Sequence, residues 1–125
     1  MVASNEDIRS TVQRYLDLVA TGSAAEIASL YAEDATLEDP VGSDVLAGRP
    51  AIEAFYATIE NLTITTNLVT LRACAGQAAF HFEIVTDVGE VKAKMAPLEV
   101  MTFDEAGKIT SMRAFWSDDD LVFEA

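Results

Sequence analysis

Three residues carry the reactive chemistry this sequence offers: Asp39, Glu99 and Tyr15. Asp39 sits in Ala35-Thr-Leu-Glu-Asp-Pro-Val-Gly42. Thr36 and Leu37 read as the start of an extended segment. Pro40 stops it, and the X-Pro step biases Asp39 itself towards extended backbone. Gly42 then permits a sharp turn. A carboxylate on so stiff a corner can accept a proton from a fixed direction. The same residues also fit a plain Asp-Pro turn initiator.

Glu99 is notable for its neighbours. On a strand predicted over 91–103, the odd positions are Val91, Ala93, Met95, Pro97, Glu99, Met101 and Phe103. Alternation makes Glu99 the one carboxyl on an apolar face, with Lys92 and Lys94 on the other. A carboxyl taken out of water resists ionisation, so its pKa rises and the neutral acid can donate a hydrogen bond. The alternative is a bulge at Pro97 that turns Glu99 to solvent. Tyr15, Tyr31 and Tyr56 all fall on apolar faces of predicted helices. Three inward phenols can form a hydrogen-bonded chain that polarises its terminal hydroxyl. Taken singly, each is equally a core aromatic.

These residues must be positioned by the elements around them. Ile8, Val12, Tyr15, Leu16 and Val19 recur at helical spacing and predict a helix over 5–21, with Ser4 as N-cap and Gly22 as a C-terminal glycine. Ser23-Ala-Ala-Glu26 is a capping-box pattern opening a second helix, roughly 24–31, with Ile27, Leu30 and Tyr31 inward. Gly48-Arg-Pro50 opens a third, since proline suits the first helical position. Its buried face is Ile52, Phe55, Tyr56 and Ile59. After Asn61 the composition turns to Thr, Val, Ile and Leu, and four long strands are predicted over 63–73, 78–86, 91–103 and 109–117. Phe80, Phe82 and Ile84 share one face of the second of these strands. Met112, Ala114 and Trp116 share one face of the last. His81 points away from Phe80 and Phe82 and reads as a surface residue. Cys74, beside a turn, reads as inert, and Asp118-Asp-Asp120 as a solvated, loosely held tail. Helices first and strands after imply an α+β fold, with helices packed on one face of a curved, mainly antiparallel sheet that leaves an apolar cavity between them.

Composition narrows the function. A chain of 125 residues, half of them hydrophobic, is expected to form a single domain over 1–125 with a sizeable core. A net charge of −13 argues against nucleic acid and anionic membrane surfaces as partners. No apolar run reaches a membrane span. The acidic N-terminus lacks an apolar signal core, so a cytoplasmic protein is expected. One cysteine and one histidine leave no disulfide and no metal cluster.

Together these residues resemble the steroid Δ5-3-ketosteroid isomerases, within the cone-shaped fold shared with nuclear transport factor 2. The resemblance runs from about residue 8 to about residue 118. It is carried by Val12-Gln-Arg-Tyr15, Tyr31-Ala-Glu-Asp-Ala-Thr-Leu-Glu-Asp-Pro-Val-Gly42, Ala54-Phe-Tyr56, Ala96-Pro-Leu-Glu99 and Ser111-Met-Arg-Ala-Phe-Trp116. It implies that Asp39 takes a proton from C4 of a 3-oxo-Δ5-steroid and returns it to C6. Tyr15 and Glu99 would donate hydrogen bonds to the dienolate oxygen, with Tyr31 and Tyr56 buttressing Tyr15. Phe55, Phe82, Met112 and Trp116 match apolar positions lining the steroid pocket. The family implies a homodimer formed through the exposed sheet face. No cofactor is required, and the chain offers no motif for a metal, a nucleotide or a second substrate. The departure is Glu99, where the family carries aspartic acid; the extra methylene adds about 1.5 Å of reach. A polyketide-cyclase-type enzyme on the same fold, and a non-catalytic module that binds a sterol-like ligand, are the alternatives.

Overall fold

The structure, a computed structural model, describes residues 2–125. Helix α1 (Asn5–Thr21) opens on Ser4, whose hydroxyl accepts from the Asp7 N–H at 3.1 Å. Its stripe of Ile8, Val12, Tyr15, Leu16 and Val19 is buried as expected. Gly22 closes the helix in extended rather than left-handed backbone. Glycine fits there because a Cβ would stand 2.7 Å from the Leu18 side chain. Helix α2 (Ala24–Ala28) carries both bonds of the expected Ser23/Glu26 capping box. It ends sooner than the spacing predicts. Tyr31 is not helical; it opens strand β1 (Tyr31–Glu38). The chain turns because the Leu30 carbonyl accepts from the Ile109 N–H at 2.9 Å, a sheet bond that replaces the next helical one. Strand β2 (Leu46–Ala47) leads into helix α3 (Arg49–Ala57), with Pro50 in its first turn and Ile52 and Tyr56 buried.

The remaining strands are β3 (Thr63–Cys74), β4 (Gln77–Asp87), β5 (Lys92–Met95), β6 (Leu98–Phe103), β7 (Ile109–Phe115) and β8 (Val122–Glu124). They form one mixed sheet in the order β2-β1-β7-β6-β4-β5-β8, with β3 on the other edge of β4. The β1–β7 pairing is parallel and the others antiparallel. The four expected strands are therefore present, but β1 joins them in parallel and the tail adds β8, whose Val122 pairs with Lys94.

The expected strand over 91–103 is divided at Ala96 and Pro97 into β5 and β6. Its register against β4 is not. The same offset holds from Gln77↔Thr102 through Phe80↔Glu99 to Ile84↔Met95 and Asp87↔Lys92. Pro97 interrupts the ladder only because it has no N–H to donate; its carbonyl still accepts from Phe82 at 3.3 Å. No residue is inserted, so alternation survives and Glu99 keeps its inward face, 4% exposed. The helices cover this face, and the two layers share one apolar core.

Candidate active site

A cavity of about 150 Å³ lies between the helices and the inner face of the sheet. Tyr15 and Val19 reach it from α1, and Phe55, Tyr56 and Ile59 from α3 and the turn after it. Phe82, Ile84, Met95, Pro97 and Glu99 form the sheet wall. Asp39 and Trp116 approach from the ends of β1 and β7, which pair in parallel and so finish side by side. The three residues with reactive chemistry thus face one space, although 84 positions separate the outermost two, 15 and 99.

Asp39 follows β1 directly, and its peptide bond to Pro40 is cis. Val41 N–H donates to the Ala114 carbonyl at 2.8 Å, which ties the corner to β7. The Trp116 indole N–H donates to Oδ1 of Asp39 at 2.7 Å. Burial raises the Asp39 carboxyl above its ordinary range, and the Trp116 bond opposes that rise by favouring the ionised form. Neighbouring Glu38 points elsewhere, accepting from the Gly42 N–H at 2.9 Å and from Arg113 at 3.0 Å.

Glu99 stands between Phe80 on β4 and Ala114 on β7. Among the described residues, its Oε1 is the one buried side-chain polar atom with no hydrogen-bond partner. Burial pushes this carboxyl up to about 8; the charge of Asp39 pushes the same way, and interaction with Tyr15 opposes them. Burial therefore favours the neutral acid at Glu99, while at Asp39 the Trp116 bond favours the carboxylate.

The tyrosines form the expected chain. Tyr31 and Tyr56 share a hydrogen bond of 2.6 Å, and Tyr56 and Tyr15 one of 3.2 Å. Only Tyr15 and Tyr56 touch the cavity; Tyr31 lies behind them and is fully buried. Burial holds all three phenols well above their ordinary pKa, and the nearby Glu99 charge adds to the effect on Tyr15. They are hydroxyl donors, not bases.

Phe55, Phe82 and Trp116 line the cavity, whereas Met112 does not. The row Phe80–Glu99–Ala114 lies nearer the cavity than the row Ala78–Met101–Met112, and Met112 is buried one row deeper. Val19, Ile59, Ile84, Met95 and Pro97 also line the cavity, beyond the site residues expected from the sequence. Met95 and Pro97 share the parity of Glu99, so the alternation that turns Glu99 inward also marks them. No group of three His, Cys, Asp or Glu side chains suited to a metal ion occurs among the described residues. No helix among those residues is long and apolar enough to cross a membrane.

Residues 12–112 match the family model of the SnoaL-like domain, and the chain belongs to that family. A steroid Delta-isomerase from Nocardioides simplex is 53% identical over 116 residues, spanning 93% of this chain and 94% of that protein. The structure of SalBIII, an epoxide hydrolase/cyclase-like enzyme with a role in pyran ring formation in the polyether salinomycin, superposes with a TM-score of 0.85. It is 29% identical and covers 93% of this chain and 95% of its own. The resemblance to steroid Δ-isomerases read from the sequence is borne out.

Proposed function

We propose that the chain isomerises 3-oxo-Δ5-steroids to 3-oxo-Δ4-steroids by carrying one proton from C4 to C6. The reading is carried by the unpartnered Oε1 of Glu99, a carboxyl that burial holds towards its neutral form in an apolar cavity that it shares with the Asp39 carboxyl. A buried polar atom without a partner costs about 1–3 kcal/mol. A substrate oxygen placed against it would supply the missing bond.

The steps follow from the residues. Oδ1 of Asp39 is engaged by Trp116, leaving Oδ2 to take the C4 proton. Removal of that proton puts negative charge on the C3 oxygen. Tyr15 and Glu99 would donate to that oxygen, and fixed donors in a dry site stabilise developing charge more than water does. Protonated Asp39 then returns the proton to C6, the dienolate collapses to the conjugated ketone, and the base is regenerated. The enclosed volume falls below the roughly 300–1,000 Å³ of pockets that take drug-sized ligands whole. The reacting rings would fill it, with the far rings at the mouth.

The isomerase relative supports this reading by sequence and the tyrosine chain by geometry. A second reading, ring closure of the polyketide-cyclase type, is favoured by the similarity to SalBIII, because a base and a neutral acid on one cavity also suit addition of a hydroxyl. A third, a non-catalytic module for a sterol-like ligand, leaves Asp39 and its Trp116 bond without a task. We further propose a homodimer joined through the outer sheet face, where paired Leu98 and Phe115 are 53% and 42% exposed. Action in the cytoplasm belongs to the same reading.

Ultraviolet absorbance on mixing with 5-androstene-3,17-dione tests the reaction. Growth of the conjugated-enone band, abolished by Asp39→Asn, supports it. No growth above the buffer rate overturns it, and a steroid that still binds then points to the binding module.

A further inference from the structure

On the reading above, the rate depends on the tyrosine chain that ends at Tyr15. The two phenols at its far end come from different layers: Tyr31 from β1 and Tyr56 from α3. Their 2.6 Å bond requires those elements to hold a fixed separation. The ladder around Tyr31 is sparse. On one edge, β1 advances from Tyr31 to Thr36 while β7 advances only from Ile109 to Ser111. On the other edge, β2 covers only Thr36 and Leu37. Beside Tyr31 a side chain stands in for the missing strand. The Arg49 guanidinium donates twice to the Tyr31 carbonyl, from Nε at 3.1 Å and from Nη2 at 2.6 Å.

Arg49 is the first residue of α3, and Tyr56 lies two turns further along the same helix. The fork therefore joins the backbone of one phenol to the helix that carries the other. A positive side chain in the first turn opposes the helix dipole, so helix electrostatics do not account for it. Arginine matches the task because its donors are coplanar and fixed relative to one another.

We propose that Arg49 is a positioning residue for the oxyanion donor: it braces Tyr31 against Tyr56 and thereby sets how well the Tyr15 hydroxyl is aimed and polarised. It lines none of the cavity. Its loss should lower kcat and leave KM nearly unchanged.

The decisive experiment is a double-mutant cycle between Arg49→Met and Tyr56→Phe, measured with 5-androstene-3,17-dione. Arg49→Met alone is expected to reduce kcat about 10-fold, with less than a twofold change in KM. In the Tyr56→Phe background, where the braced bond no longer exists, the same substitution should change kcat less than twofold. Equal losses in both backgrounds, or wild-type kcat in folded Arg49→Met, would overturn the proposal. Should Arg49→Met fold poorly, Arg49→Lys carries the same cycle, because it keeps the charge and loses the fork. A readout free of turnover is the proton NMR resonance of the buried Tyr31–Tyr56 hydroxyl, expected downfield in wild type and moved upfield or broadened in the Arg49 variants. That change in a protein inactive towards steroids would leave the brace standing and remove the steroid reading alone. An unchanged resonance would remove the brace.

Discussion

The Trp116 indole N–H and Oδ1 of Asp39 lie 2.7 Å apart although 77 positions separate them in the chain. The parallel pairing of β1 with β7 makes this possible, since both strands end at the same side of the sheet. The bond fixes one carboxylate oxygen and stabilises the ionised form that a base requires. Trp116→Phe keeps the aromatic wall and removes only the donor. The Asp39 pKa should then rise further, moving the acid limb of the kcat/KM profile towards higher pH, with about a 10-fold loss of rate at neutrality. A pH–rate profile measured from acid to neutral checks it; an unmoved acid limb would count against the coupling.

Asp39→Asn removes the proton acceptor and is nearly isosteric. General-base catalysis contributes about 100- to 10,000-fold, so kcat should fall by at least the lower figure. Steroid affinity should change little, as followed by quenching of Trp116 fluorescence. A rate within 10-fold of wild type would place the base elsewhere.

Much of this site was legible in the sequence because its signals are local. Alternation alone placed Glu99 on an apolar face, and helical spacing placed Tyr15 and Tyr56 on buried stripes. The sequence alone does not decide whether Pro97 shifts that alternation. Only the unchanged register between β4 and the β5–β6 line settles it, and register belongs to the partner strand as much as to the proline. Helical spacing predicts Tyr31 inward but on the wrong element, since the bond that ends α2 comes from Ile109, far along the chain. The contacts of Trp116 with Asp39 and of Arg49 with Tyr31 had no local signature, because each depends on which strands become neighbours.

Glu99 should make stability fall as pH rises. Its folded pKa of about 8 lies above the unfolded value near 4.5, so between these limits the folded state binds the extra proton. The stabilising contribution of the neutral form is complete below about 4.5 and is lost as pH climbs through about 8. A tenfold difference in proton affinity between the two states corresponds to about 1.4 kcal/mol, so the loss across the window is several kcal/mol. Asp39, also raised, adds in the same direction. Urea denaturation under mildly acidic, neutral and mildly alkaline conditions should show wild-type stability declining and Glu99→Gln declining less. Parallel slopes would mean that Glu99 ionises normally. In activity, Glu99 ionisation should produce the alkaline limb of the rate profile, and Glu99→Gln should flatten it.

The tyrosine chain predicts a crossed pattern between its two cavity members. Tyr15→Phe removes the end of the chain and leaves the Tyr31–Tyr56 bond intact, so stability should change by no more than about 1 kcal/mol. Removing one fixed donor to a developing oxyanion typically costs about 100- to 1,000-fold, so kcat should fall within that range. Tyr56→Phe removes the middle of the chain. Tyr31, fully buried, then loses the one partner its hydroxyl has among the described residues, and an unsatisfied buried hydroxyl costs about 1–3 kcal/mol. Tyr15 keeps its hydroxyl but loses the neighbour that polarises it, so kcat should fall only about 10-fold. Paired measurements of kcat and urea midpoint for the two variants test the ordering. If Tyr56→Phe proved the slower enzyme and Tyr15→Phe the less stable protein, Tyr15 would not be the terminal donor.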